Sequence, residues 1–147
     1  MIHYRSDQGQ LLVEAVVVVG MLLLFVTGIL TLSTKSMRDN RDAAARSTAV
    51  KLSQSAIEYI RFLRDHDYPT LIHMLGTVNG DTSVWCLDDA LLWKAADTLC
   101  PFDIHTVYGR TVTFKNRESL IGVEVKVSWK DGSLTKYTND VTEFAKP

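Results

Sequence analysis

Apolar residues are spread along this chain in a continuous block, a helical stripe and an alternation. The block is residues 11–32, LLVEAVVVVGMLLLFVTGILTL, apolar on every side, with Glu14 its one ionisable residue. A helix of that length spans about 33 Å, enough for a bilayer core of about 30 Å. Core helices of soluble domains are usually shorter and striped. A removable secretory signal has an apolar region of about 7–15 residues followed by small residues at a cleavage site. This block is longer, and no such site follows before Ser33. It reads as a membrane span.

The stripe follows. No Pro or Gly occurs between Ser33 and Asp65, and Ala43, Ala44, Ala45 and Ala49 favour helix. Ala45, Ala49, Leu52, Ala56, Tyr59, Ile60 and Leu63 recur at spacings of three and four. Lys35, Arg38, Arg41, Arg46, Lys51, Glu58, Arg61 and Arg64 fall mostly off that line. One helix from about Leu11 to about Asp65 is therefore expected, apolar in residues 10–32 and amphipathic in residues 33–66. Asp67, Tyr68 and Pro69 end it.

The remainder, residues 67–147, reads as a small α+β head. Leu71, Ile72, Met74 and Leu75 suggest a short helical turn, Asn79-Gly80 a turn, and Asp88 to Asp97 a second short helix. The alternation comes last. Val112 and Phe114 share one side of Arg110–Lys115. Ile121, Val123, Val125, Val127 and Trp129 share one face, opposite Gly122, Glu124, Lys126, Ser128 and Lys130. Asp131-Gly132 predicts a hairpin, with Leu134–Thr138 returning. The expected fold is α+β: a long N-terminal helix packed on a C-terminal antiparallel sheet of three or four strands.

Composition narrows the function. At 147 residues, with sixteen Lys and Arg against seventeen Asp and Glu and 46% hydrophobic residues, the chain has neither a polybasic footprint nor the profile of disorder. G-x-S-x-G, H-E-x-x-H and phosphate-loop motifs are absent. His73 or His105 with Cys86 could be drawn as a nucleophile pair, but surface histidines account for them. Asp88, Asp89 and Asp131 lack the spacing of a calcium loop, and the histidines and cysteines lack zinc spacing. The expectation is no enzyme, no cofactor and no metal. Arg38, Arg41, Arg46, Arg61 and Arg64 would supply a strip for nucleic acid, which a solvated helix face explains equally well.

The start of the chain is the most specific feature. Residues 1–9, MIHYRSDQG, are a short polar leader ending in Gly9, followed by Gln10, Leu11, Leu12, Val13 and Glu14 and then the apolar run. This resembles the class III signal of type IV prepilins and pseudopilins. The resemblance implies cleavage after Gly9 by a prepilin peptidase, N-methylation of the new amine at Gln10, and an assembly role for Glu14. Phe or Met is commoner in the family where Gln10 stands. Thr31 lies where many family helices carry a Pro, and this helix has Gly20 and Gly28 instead.

The resemblance also implies a pilin-like fold and a filament of like subunits, homogeneous or mixed. Its other implied partners are the peptidase, an inner-membrane assembly platform and, before assembly, the bilayer. The implied location is the cytoplasmic membrane with the head outside, then a cell-surface or periplasmic filament. A single-pass extracytoplasmic adaptor that never polymerises is the other reading. The positive-inside rule points the opposite way, since Lys35, Arg38, Arg41 and Arg46 follow the span and Arg5 precedes it. If the head is outside, Cys86 and Cys100 could form a disulfide worth about 3 kcal/mol in the chain-entropy picture. Two buried free thiols are the alternative.

Overall fold

The computed structural model describes residues 7–75, 81–96 and 100–146. Leader residues 1–6, the Asn79-Gly80 turn and Asp97 lie outside them. Helix α1 runs Asp7–His66, and α2 runs Tyr68–Leu75. Five strands follow: β1 (Thr82–Leu87), β2 (Trp93–Ala95), β3 (Tyr108–Asn116), β4 (Leu120–Asp131) and β5 (Leu134–Ala145). They form one antiparallel sheet in the order β2-β1-β3-β4-β5. The fold is α+β with a pilin-like layout: a long N-terminal helix whose amphipathic part packs on the sheet. Contacts divide the chain into two compact units, before and after Asp42.

In the first unit α1 is apolar nearly all round and exposed over residues 12–32. Leu24 is 74% exposed and Phe25 71% exposed. It is one helix long and apolar enough to span a membrane. Its hydroxyls are satisfied internally. Thr27 Oγ1 donates to the Leu23 and Leu24 carbonyls, and Thr31 Oγ1 to those of Thr27 and Gly28. Such bonds let threonine sit in an apolar medium without an orphaned polar group.

In the second unit the stripe predicted for α1 becomes core. Ala49, Ala56 and Ile60 are fully buried, together with Val112, Phe114, Ile121, Val125 and Val127 from the sheet. Burying each large side chain is worth about 1.5–3 kcal/mol. Alanines on the helix admit the branched and aromatic side chains of β3 and β4. Contacts along α1 fix its direction. Tyr108 Oη donates to the Ala45 carbonyl, and the Arg61 and Arg64 guanidiniums lie over the Phe144 ring. So β3 and β5 run in the same sense as α1.

The corner after α1 has no slack. The Asp67 N–H donates to the Leu63 carbonyl at 2.8 Å, continuing α1, while its carboxylate accepts from Thr70 Oγ1 at 2.7 Å and opens α2. Asp67 is thus the cap of α2, and Pro69 falls in a first turn whose N–H groups need no helical partner. The α2 end is tied to β1, where Trp85 Nε1 donates to the Met74 carbonyl.

The structure corrects the sequence reading in the head. No helix covers 88–96. Those residues make the tight β1–β2 connection, in which Asp88 Oδ1 accepts the Leu92 N–H at 2.9 Å, and then β2 itself. The sheet has five strands rather than three or four, because β1 is a mixed apolar–polar run (TSVWCL) without clean alternation. The returning strand extends to Ala145. The two central turn residues are Gly132 and Ser133 rather than Asp131 and Gly132, because Asp131 pairs with Leu134. Gly132 has φ +61°, the first position of a type II′ turn, where glycine is at home.

Candidate functional site

Two places concentrate chemistry. The first is the start of α1. Gly9, Gln10 and Glu14 all lie within the helix, and Gln10 and Glu14 stand four residues apart, one turn along the same face. Both are exposed. Beyond them every described residue to Arg41 is exposed, so the only carboxylate of the 12–32 span stands on an apolar rod with no protein around it. In an apolar medium an unpaired carboxylate costs about 3 kcal/mol on insertion scales. The arrangement can pair one cation with Glu14 and bury apolar surface on all sides.

The second place is inside the head. Arg110, on the helix-facing side of β3, is 2% exposed. Its Nε donates to the Leu87 carbonyl at 3.1 Å and its Nη2 to the Asp88 carbonyl at 2.6 Å. Its Nη1 donates to the Leu52 carbonyl and to Ser55 Oγ, both at 3.0 Å. One guanidinium thereby joins α1, β3 and the β1–β2 connection. Burial lowers its pKa, and Asp89, Asp88 and Asp103 offset this in part. Arginine nonetheless stays cationic at any physiological pH. Asp88 is held below the usual carboxylate range, first by the Leu92 N–H and further by Lys94, which lies 3.3 Å away.

Sequence reasoning missed Arg110, seeing only the first residue of an alternating run. The available signal was a cation at an inward position of that alternation, two residues before Val112.

The disulfide lies on the other face of the sheet. Cys86 and Cys100 are bonded, with Cα atoms 5.3 Å apart. It ties residues 100–101 against β3 at Gly109. A Cβ there would sit 2.9 Å from the carbonyl oxygens of both Cys100 and Pro101, so only glycine fits. Bonded in this way, Cys86 offers no thiol to His73 or His105. His73 is exposed on α2, and His105 is exposed at a tight turn with φ 50°.

The other sequence candidates are dispersed. Asp88 pairs with Lys94. Asp131 belongs to a separate ion triad, 2.8 Å from Lys136, which also lies 2.6 Å from Asp42. Lys136 is raised above the usual lysine range, by Asp131 first and then Asp42. Among the described residues no group of three or more His, Cys, Asp and Glu could hold a metal ion. Of the arginine strip, Arg61 and Arg64 stack on Phe144, and Arg64 pairs with Asp65 at 2.7 Å. Comparison with protein-family models, curated proteins and solved structures finds no match.

Proposed function

We propose that this chain is a structural subunit of a type IV pilus-like or pseudopilus filament. It is inserted in the cytoplasmic membrane, cut after Gly9 by a prepilin peptidase, and assembled by helix packing. The carrying observation is Glu14, the one carboxylate of a 12–32 span whose residues are all exposed, one turn beyond Gln10. Cleavage would leave a free amine at Gln10. In a packed array of such helices, that amine and a neighbour's Glu14 would compensate each other and set the axial register. A plain anchor needs neither group.

Two further observations support the reading. The head is held by a disulfide, which belongs to oxidising compartments and favours a head outside the cytoplasm over the positive-inside count. The amphipathic part of α1 packs on an antiparallel sheet, as in pilin heads. On this reading the protein acts by assembling rather than by catalysis, and Arg110, the buried cation of the head, holds α1, β3 and the β1–β2 connection together.

Intact mass and N-terminal sequence of the protein from native membranes test this directly. A chain beginning at Gln10, methylated or not, is expected. A chain still beginning at Met1 beside an active prepilin peptidase would overturn the proposal and leave the membrane-anchored adaptor.

A further inference from the structure

The two edges of the sheet match each other. Among the described residues β2 borders one edge and β5 the other, and each pairs with a single neighbour. Counting antiparallel steps across the order β2-β1-β3-β4-β5, both edge strands point the same way, in the sense of α1. Two copies joined edge to edge would therefore meet as parallel strands, with every copy pointing alike. Such a contact is head-to-tail and does not close on itself.

Side chains and backbone agree on one register. Trp93 contacts Tyr59 and Phe114, so it faces the helix side, and Leu92 and Lys94 face the other. On β5, Phe144 is buried toward the helix, so Val141 and Glu143 face away from it. Placing Trp93 opposite Thr142 sets Leu92 beside Val141 and Lys94 beside Glu143 on that same outer face. Leu92 is 61% exposed and Val141 68% exposed, among the most exposed apolar residues of the head. The Lys94 and Glu143 side chains are 57% and 43% exposed; Lys94 lies 3.3 Å from Asp88 and 3.6 Å from Asp103, and Glu143 2.6 Å from Arg117, exposed pairs that a neighbour's charge can join or exchange.

The free hydrogen-bonding groups also alternate correctly. Leu92 and Ala96 bond toward β1, through the Asp88 N–H and the Val84 carbonyl. That leaves Trp93 and Ala95 facing the open edge. On β5 the pair Asp131–Leu134 closes a two-residue turn, so even-numbered residues bond to β4 and Val141 and Glu143 face outward. In a parallel pair one residue bonds the two that flank its opposite. Trp93 would then bond Val141 and Glu143 of its neighbour.

We infer that β2 of one copy docks on the C-terminal half of β5 of the next, joining heads into a continuous sheet through the Leu92–Val141 and Lys94–Glu143 pairs. This rests on the filament reading for its setting, and its partner is a second copy of this chain.

The test is cysteine cross-linking of the full chain in native membranes and in any sheared filament fraction. The variant carries Leu92→Cys and Val141→Cys together. These positions lie on opposite edges of one sheet, so a bond between them joins different copies. Neighbouring strands place Cα atoms about 4.8 Å apart, within disulfide reach. A ladder of dimers, trimers and higher species on non-reducing gels is expected, and each single variant, with no cysteine opposite its own, should give none. Lys94→Glu or Glu143→Lys should each weaken the ladder several-fold, and the double reversal should restore it.

A mature chain starting at Gln10 that sediments as filament but gives no ladder would overturn the edge contact and leave the filament reading standing. A ladder from a chain still starting at Met1 would support the contact while removing the filament. A ladder unaffected by either charge reversal would overturn the assigned register.

Discussion

Residues 12–32 and 42–66 belong to one helix, yet they solve different problems. In the first stretch every described residue is exposed. In the second, Ala49, Ser53, Ala56 and Ile60 are fully buried along one line. Secondary structure is the same in both, and what differs is the partner each was written for. A helix apolar on every side needs an apolar medium all around it. A striped helix needs one sheet. The chain thus carries its helix propensity throughout and its tertiary information in only part of it.

That contrast can be broken from either side. The largest effect is expected at Glu14. Glu14→Leu should reduce filament recovery at least tenfold while leaving membrane insertion and the head's melting unchanged. Normal incorporation of this variant would refute the pairing role. On the head side, Arg110→Ala should destabilise by about 3–5 kcal/mol, because it strips the donor from several carbonyls buried around it. Chemical denaturation of the protein in detergent would measure this, and α1 residues 12–32 should keep their helicity.

Replacing Cys86 and Cys100 with serine should cost about 3 kcal/mol, read as a lower melting temperature under non-reducing conditions, with the wild type falling to match once reductant is added. Ser53→Ala should go the other way. Ser53 is fully buried and its hydroxyl has no hydrogen-bond partner among the described residues, so removing it should stabilise the head by up to about 1 kcal/mol. The smallest effect concerns Asp88. Its pKa is depressed on folding, so its stabilising contribution is present above the unfolded value and fades as pH falls through the folded one. The melting difference between wild type and Asp88→Asn should therefore shrink below about pH 4.

Legibility in the sequence followed the same division. The apolar block and the Ala45-to-Leu63 stripe declared α1 within four residues at each end, because both periodicities are long and unbroken. The clean alternation of Ile121 to Trp129 declared β4. Strands β1 and β2 were illegible. Their pattern is set by tertiary partners: Trp85 reaches the Met74 carbonyl, and Trp93 packs between Tyr59 and Phe114. The run from Asp88 to Asp97 reads as a short helix, yet Asp88 accepts the Leu92 N–H inside a tight strand connection. Arg110 escaped because an inward arginine is readable only when its acceptors are known, and these come from residues 52, 55, 87 and 88.

The threonine bonds of α1 carry one last consequence. Thr27 and Thr31 spend their hydroxyl hydrogens on their own helix. The span therefore travels with its polar needs already met, and exchanging lipid neighbours for protein ones breaks no hydrogen bond along it. Glu14 is the one ionisable residue of the span, and the one that a low-dielectric neighbourhood penalises unless it finds a partner. On the proposed filament reading, the electrostatic part of the difference between bilayer and packed array is gathered at that single position, while the rest of the span trades lipid contacts for protein ones through packing.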